Sequence, residues 1–201
     1  MKIKIGTMGL IFLALPVLFF GAGCAEPQAV ITVPSLGKAD APVQITEYFD
    51  YQCPACKASE SAIVPFIIED YVNTGKAAIT FKNIAFIGPE SKTSAVASLC
   101  AHEQGKFLDY HKRLFEAQGA ENSGVFTDEK LKSLAKDAGL DAVSFAACLD
   151  GEKYRDQVAR EKKEADALGI DSTPTYVING QKVLGGTYLS VKRVIDKKLA
   201  Q

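Results

Sequence analysis

Hydrophobic and polar positions divide the chain into stretches of two kinds. Residues 43–49, Val-Gln-Ile-Thr-Glu-Tyr-Phe, are rich in β-branched and aromatic side chains and predict a strand. Residues 54–73 keep near-helical spacing through Ala58, Ala62, Phe66, Ile67 and Val72, and Gly75 follows as a stop. Pro65 lies inside that helix and should bend it or break its hydrogen-bond ladder. Residues 77–84 alternate around Ile79 and Phe81 and predict a second strand. The first half of the pattern is thus a βαβ unit.

From residue 89 to 168 no strand pattern appears. Helical spacing recurs over 91–103, 107–118, 128–138, 141–149 and 152–168. Thr127 and Asp141 are suited to cap helix N-termini, and Gly139 and Gly169 to end helices. Strand character returns at 174–178, and Asn179-Gly180 marks a hairpin whose second arm is 181–184. A helix over 189–199 closes the chain. The order is β-α-β, a helical block, then β-β-α: a small mixed sheet with helices on it.

The N-terminus has a different pattern. Lys2 and Lys4 precede a nearly continuous apolar run over 5–20, and Gly21-Ala22-Gly23-Cys24-Ala25 follows. This is the layout of a secretory signal peptide over 1–24; the apolar run to Ala25 is also just long enough for an uncleaved anchor. The stretch ending in Cys24 resembles a bacterial lipobox, although Gly21 stands where a Leu is usual. Lipidation of Cys24 and ordinary cleavage near Ala25 are the two processing routes. Residues 25–41, with Pro27, Pro34 and Gly37 and no periodicity, predict a linker. A mature segment of about 175 residues suffices for one domain with a substantial core.

Charge adds little. Loss of Lys2 and Lys4 with the leader takes the formal net charge from −1 to −3. With no basic patch and no acidic tail, nucleic acid is not an expected partner.

The candidate chemistry is Cys53-Pro54-Ala55-Cys56. It falls between the first strand and the first helix, so Cys53 sits at a helix N-terminus. Free backbone N–H groups and the helix dipole there favour a thiolate, the reactive species in disulfide exchange. Two residues between the cysteines allow a disulfide over one helical turn. Cys53 is the expected exposed nucleophile and Cys56 the buried resolving thiol. Glu47 shares the face of Ile45 and Phe49 by the two-residue strand period, which makes it a buried carboxylate with either a function or a lysine partner. Cys100 and Cys148 fall in the helical block, where an oxidising compartment favours pairing them. A regulatory redox pair and two free thiols are the other readings of these cysteines.

These features together resemble the DsbA-like thiol–disulfide oxidoreductase family. The resemblance covers residues 36–201. It rests on Glu-Tyr-Phe-Asp-Tyr-Gln-Cys-Pro-Ala-Cys-Lys at 47–57, Cys-Ala-His-Glu-Gln-Gly-Lys-Phe at 100–107, Gly-Ile-Asp-Ser-Thr-Pro-Thr at 169–175 and the Asn179-Gly180 hairpin. It implies an α/β thioredoxin fold over 42–88 and 169–201, with an inserted all-helical subdomain over 89–168. It also implies a cis peptide bond between Thr173 and Pro174, facing the dithiol. Pro54 and Ala55 then shape the site and Glu47 tunes the thiols or relays protons. Ala55 departs from the His that strongly oxidising members carry between the cysteines. The implied protein is an exported monomer in the periplasm or on the outer face of the membrane, held there only by a lipid if at all. It would act on proteins with cysteines and be reset by a membrane redox partner, with no metal or organic cofactor.

Three other functions fit parts of the pattern. A reductase or isomerase would use the same dithiol. A chaperone-like binding module could share the fold. A metal module could in principle use Cys53, Cys56, Cys100 and His102. His102 and His111 are otherwise expected at the surface or as helix caps.

Overall fold

The computed structural model describes residues 1–2 and 33–201. The leader, Cys24 and the first part of the expected linker lie outside the described residues. The architecture starts from β2 (Val43–Phe49), which takes the centre of a five-stranded sheet because both its faces are covered. Val43, Ile45 and Phe49 pack on one face, while Tyr48 packs on the other with Ile84, Ala165 and Ile170. The sheet order is β1-β3-β2-β4-β5, with β1 at Ser35–Leu36, β3 at Ala77–Asn83, β4 at Thr175–Ile178 and β5 at Gln181–Leu184. β2 runs parallel to β3 and antiparallel to β4, the mixed pairing of the thioredoxin fold.

The edge strand β1 lies inside the stretch expected to be linker. It pairs antiparallel with β3 through Ser35↔Thr80 and Leu36↔Ile79. Gly37 follows with φ +91°, and a Cβ there would meet the Ala77 carbonyl at 2.6 Å, so the chain can turn this close to β3 only as glycine. At the other edge, Asn179 (φ 42°) and Gly180 (φ 80°) make the hairpin turn, both left-handed as a two-residue turn of this kind needs. The Asn179 side chain also accepts from the Gln44 N–H at 2.7 Å, tying the turn to β2.

The helix expected over 54–73 is interrupted. α1 (Pro54–Ala62) ends at Ile63 (φ −127°), α2 (Val64–Ile67) carries Pro65 in its first turn, and a π-helical turn follows over Ile68–Val72. Pro65 has no N–H to give the preceding turn, so the ladder restarts.

Between β3 and β4 stand α3 (Pro89–Glu103), α4 (Phe107–Ala117), α5 (Asp128–Asp137), α6 (Ala142–Asp150) and α7 (Arg155–Ala167). α3 is buried all round from Ser94 to Ala101, and its Ala and Ser side chains let neighbouring helices approach closely. Its buried hydroxyls bond back into the helix, Ser94 to the Glu90 carbonyl at 2.8 Å and Ser98 to that of Ala95 at 2.8 Å. Thr127 and Asp141 cap α5 and α6 by accepting from the Lys130 and Ser144 N–H groups. α7 starts three residues later than its periodicity predicts, because Glu152 takes a left-handed conformation (φ 46°) in the preceding turn. α8 (Tyr188–Leu199) packs on β2 and β4. From residue 33 onward the described residues form one compact unit.

Cys100 of α3 and Cys148 of α6 form a disulfide with Cα atoms 5.9 Å apart, closing a loop of sequence separation 48. Replacing both by Ser is expected to lower the unfolding free energy by about 2–4 kcal/mol, because the unfolded chain regains the entropy of the open loop. Urea denaturation checks this, and a loss below about 0.5 kcal/mol would mean that helix packing alone sets the stability of this region.

Candidate active site

The site begins where β2 ends. Asp50 is wholly buried, and its carboxylate accepts four hydrogen bonds. Oδ1 takes the Gln52 N–H at 2.8 Å and the Ser91 hydroxyl at 2.7 Å; Oδ2 takes the N–H groups of Phe86 at 2.9 Å and Ile87 at 3.2 Å. The Asp50 carbonyl accepts from the Cys53 N–H at 3.0 Å. One residue thus fixes the strand-to-helix turn, the loop after β3 and the start of α3. The helical block holds the turn from the other side. Gln118 donates to the carbonyls of Tyr51 (2.6 Å) and Cys53 (3.0 Å), and Gln52 bonds Ser91 and Asn122.

Cys53 occupies the N-cap of α1, with Pro54 first in the helix, where the absent N–H costs nothing. Cys53 is 8% exposed and Cys56, one turn on, 1%. The nucleophile expected to be exposed is therefore largely covered, while Pro54 and Ala55 are exposed beside it. Across from α1 lies the Thr173–Pro174 peptide, which is cis, and the Cys53 thiol donates to the Thr173 carbonyl at 3.4 Å. Gly185 closes the far side. Its N–H donates to the Pro174 carbonyl at 2.7 Å, and a Cβ on it would meet the proline ring at 2.4 Å.

Environment separates the two thiols. Hydrogen bonding from Cys56 is the largest effect on Cys53; with smaller help from Thr173 and the N–H groups of Cys56 and Ala55, it outweighs burial and lowers the Cys53 pKa to about 6. Burial pushes Cys56 far up, and the neighbouring Cys53 thiolate adds to the shift. The same helix turn thus holds one thiol ready to ionise and one that keeps its proton.

Glu47 is 3% exposed and has no lysine partner among the described residues. Burial first, and then the charge of Glu60, raise its pKa to about 8, against a hydrogen bond from Tyr176 at 3.0 Å. Its other oxygen, Oε2, has no hydrogen-bond partner among the described residues. Tyr176 faces Glu47 because the two are direct partners in the β2–β4 register. Sequence reasoning placed Glu47 on the buried face but not Tyr176, whose contact needs the register between strands 129 residues apart.

His111 corrects the surface assignment: it is 1% exposed. Phe49, Tyr51, Phe81, Phe107 and Phe115 surround it at centroid distances of 4.9–5.4 Å. Its Nδ1 lies 2.8 Å from the Tyr51 hydroxyl and its Nε2 3.1 Å from Glu60 Oε2. The signal was in the sequence, because Phe107, Tyr110, His111, Leu114 and Phe115 form one apolar stripe at helical spacing. His102 ends α3 against the Phe107 ring at 6.2 Å. The four-ligand metal arrangement is overturned, since Cys100 is bonded to Cys148 and cannot serve as a thiolate ligand.

The two titrations act on stability in opposite senses. The folded Cys53 pKa, about 6, lies below its ordinary 9.0, so its contribution to the reduced protein is complete above pH 9 and lost as pH falls through 6. The folded Glu47 pKa, about 8, lies above its ordinary 4.5, so its contribution is complete below pH 4.5 and lost as pH rises through 8. Thiolate absorbance of the reduced protein should titrate near pH 6 and disappear in Cys53→Ser. Glu47→Gln should gain stability over the native protein progressively between pH 4.5 and 8 and level off above. A pH-independent difference in denaturation midpoint would contradict the Glu47 assignment.

Comparison with known proteins agrees with this geometry. A family model described as thioredoxin matches residues 30–197. Disulfide bond formation protein D of Bacillus subtilis is 33% identical over 170 residues, covering 83% of this chain and 77% of that protein. The crystal structure of oxidised BdbD from Bacillus subtilis superposes with a TM-score of 0.79 at 32% identity, over 84% of this chain and 94% of that one. A thiol:disulfide interchange protein DsbA from Bordetella parapertussis is 27% identical over 88% of this chain and 85% of its own length. The fold, the placement of the dithiol and these relatives together make the chain a member of the DsbA-like thiol–disulfide oxidoreductase family.

Proposed function

We propose that this protein is an exported oxidase of that family, which introduces disulfides into cell-envelope proteins through Cys53 and Cys56. The observation that carries the reading is the contrast between a readily ionised Cys53 and a proton-retaining Cys56 on one helical turn. A substrate thiolate attacks Cys53 Sγ. The Cys53–Cys56 bond breaks, and Cys56 leaves with the electron pair and takes up a proton. A second substrate thiolate then attacks the substrate sulfur of the mixed disulfide, and Cys53 departs as a thiolate. Two substrate thiols are oxidised to a disulfide and the protein's own disulfide is reduced. A low pKa makes Cys53 a good leaving group in the second step.

The other site residues support these steps. Thr173 and Pro174 wall the approach to Cys53, Pro54 and Ala55 form the exposed rim, and Glu47 holds a proton beneath the thiols. The Cys100–Cys148 pair is a structural brace. The apolar leader supports export to the periplasm or the outer membrane face, with Cys24 as the site of lipidation. There the protein works as a monomer on proteins with cysteines, and a membrane redox partner restores the disulfide.

A reductase or isomerase role is the second reading. It is favoured by Ala55, whose side chain offers no charge or hydrogen bond to the Cys53 thiolate. Values of about 3.5 for DsbA and about 7 for thioredoxin bracket the Cys53 pKa. The expected potential of the couple therefore falls between about −120 mV, as in DsbA, and about −270 mV, as in thioredoxin. Equilibration in glutathione buffers with thiol tagging measures it. The oxidase reading also requires the oxidised protein to pass its disulfide to a reduced peptide with two cysteines and Cys53→Ser to fail. A potential at or below the thioredoxin value would replace the oxidase reading with the reductase one.

A further inference from the structure

The end of α4 meets the redox turn through a half-buried glutamine, Gln118, which caps that helix. Its Nε2 carries two hydrogens and gives them to two carbonyls of the turn, Tyr51 at 2.6 Å and Cys53 at 3.0 Å. From the other side, the Lys57 ammonium of α1 donates to the carbonyls of Glu116 (3.3 Å) and Gln118 (3.2 Å), where the helix dipole of α4 favours a cation. The crowded point is the Cys53 carbonyl. Besides Gln118, the Cys56 N–H approaches it at 3.1 Å and the Lys57 N–H at 3.2 Å. A carbonyl oxygen has two lone pairs, so three donors cannot all be well served. The Lys57 N–H makes the first regular bond of α1. The Cys56 N–H has a second acceptor, because it also supports the Cys53 sulfur.

We propose that Gln118 is a positioning residue for the nucleophile: with the Lys57 N–H it fills the Cys53 carbonyl, and so leaves the Cys56 N–H to the Cys53 sulfur. The proposal rests on the thiol–disulfide reading of the site and adds to it a residue of the helical block. The sulfur gains most from that N–H as a thiolate, because a hydrogen bond to a charged acceptor is roughly twice as strong as one between neutral groups. In the disulfide the same sulfur carries no charge and gains little. Gln118 therefore favours the reduced form over the oxidised one. It carries no charge itself, so its effect passes through the carbonyl and not through a field. The charged and titratable groups around it have other partners. Lys57 is held by backbone carbonyls, Glu116 pairs with Lys112 at 3.8 Å, and Cys56 keeps its proton. Without Gln118, the carbonyl retains the Cys56 N–H as its second donor and the thiolate loses part of its support.

The test compares the native protein with Gln118→Met, which keeps the length of the side chain and removes both donors. The Lys57 bonds go to backbone carbonyls and survive the substitution. Thiolate absorbance of the reduced variant should titrate about half a pH unit to one pH unit above the native value, the worth of one ordinary hydrogen bond. In glutathione buffer at pH 7, two glutathione thiols become one disulfide as the Cys53–Cys56 bond is reduced. The equilibrium constant of that reaction should fall about threefold to fivefold, because a Cys53 pKa near 6 leaves most of the native thiol ionised there. Denaturation midpoints of the two redox forms separate this from a mere brace. A brace would destabilise both forms equally, whereas loss of thiolate support destabilises the reduced form more. Gln118→Leu carries the same test should the methionine variant fail to fold. An unchanged titration and equilibrium constant, with both redox forms equally destabilised, would overturn the proposal. A native protein that forms no Cys53–Cys56 disulfide in these buffers would instead overturn the exchange function itself, and the proposal with it.

Discussion

The Asp50 carboxylate is the interaction on which the site depends. It is buried without an ion-pair partner among the described residues, and it accepts hydrogen bonds from Gln52, Phe86, Ile87 and Ser91, which belong to three separate segments. A buried carboxylate that lost one of these donors would bear a desolvation cost of about 1–3 kcal/mol or more. The four bonds therefore act as one unit. They set where β2 stops, which in turn sets where α1 begins, and so put Cys53 at the N-cap. The same bonds seat α3 against the turn, so the helical block helps define the redox geometry and is not a mere appendage of the sheet.

From that anchor the chemistry follows by position along a single helix. Cys53 has the free N–H groups of the first turn and a neighbouring thiol as donors, whereas for Cys56 burial outweighs the smaller help of Thr173 and the Asp50 backbone. One turn of α1 thus creates both a good leaving group and a thiol that cannot stay ionised. Glu47 lies below, held unfavourably as a charge by burial and by Glu60. Its oxygen without a partner is a cost the fold carries near its functional centre, where such costs tend to collect.

Much of this was readable from the residues alone. The strands at 43–49 and 181–184, the caps Thr127 and Asp141 and the hairpin at Asn179-Gly180 depend on local chemistry, and their limits fall where the pattern puts them. What the pattern missed depends on contacts distant in sequence. β1 is two residues long and exists only because β3 offers an edge. Tyr176 meets Glu47 only through the β2–β4 register, and Gly185 is required only because the Pro174 ring is beside it. His111 is different. Its apolar stripe was visible, but a histidine is usually assigned to the surface by its polarity. Here Tyr51 and Glu60 occupy both ring nitrogens, which lets the ring enter an aromatic core.

The two ends of the site also explain why the proposed exchange would run through Cys53 in either direction. A substrate sulfur must reach the disulfide along a line opposite the bond that breaks, and Cys53 is 8% exposed against 1% for Cys56. Attack there expels Cys56 into an interior that rejects its charge. The step is therefore easy only if a proton arrives as the bond breaks. Burial protects Cys56 from unwanted partners and at the same time creates this need for a proton. Burial of Glu47 carries a cost of the same kind, because the same interior that rejects charge on Cys56 also raises the pKa of that carboxyl to about 8.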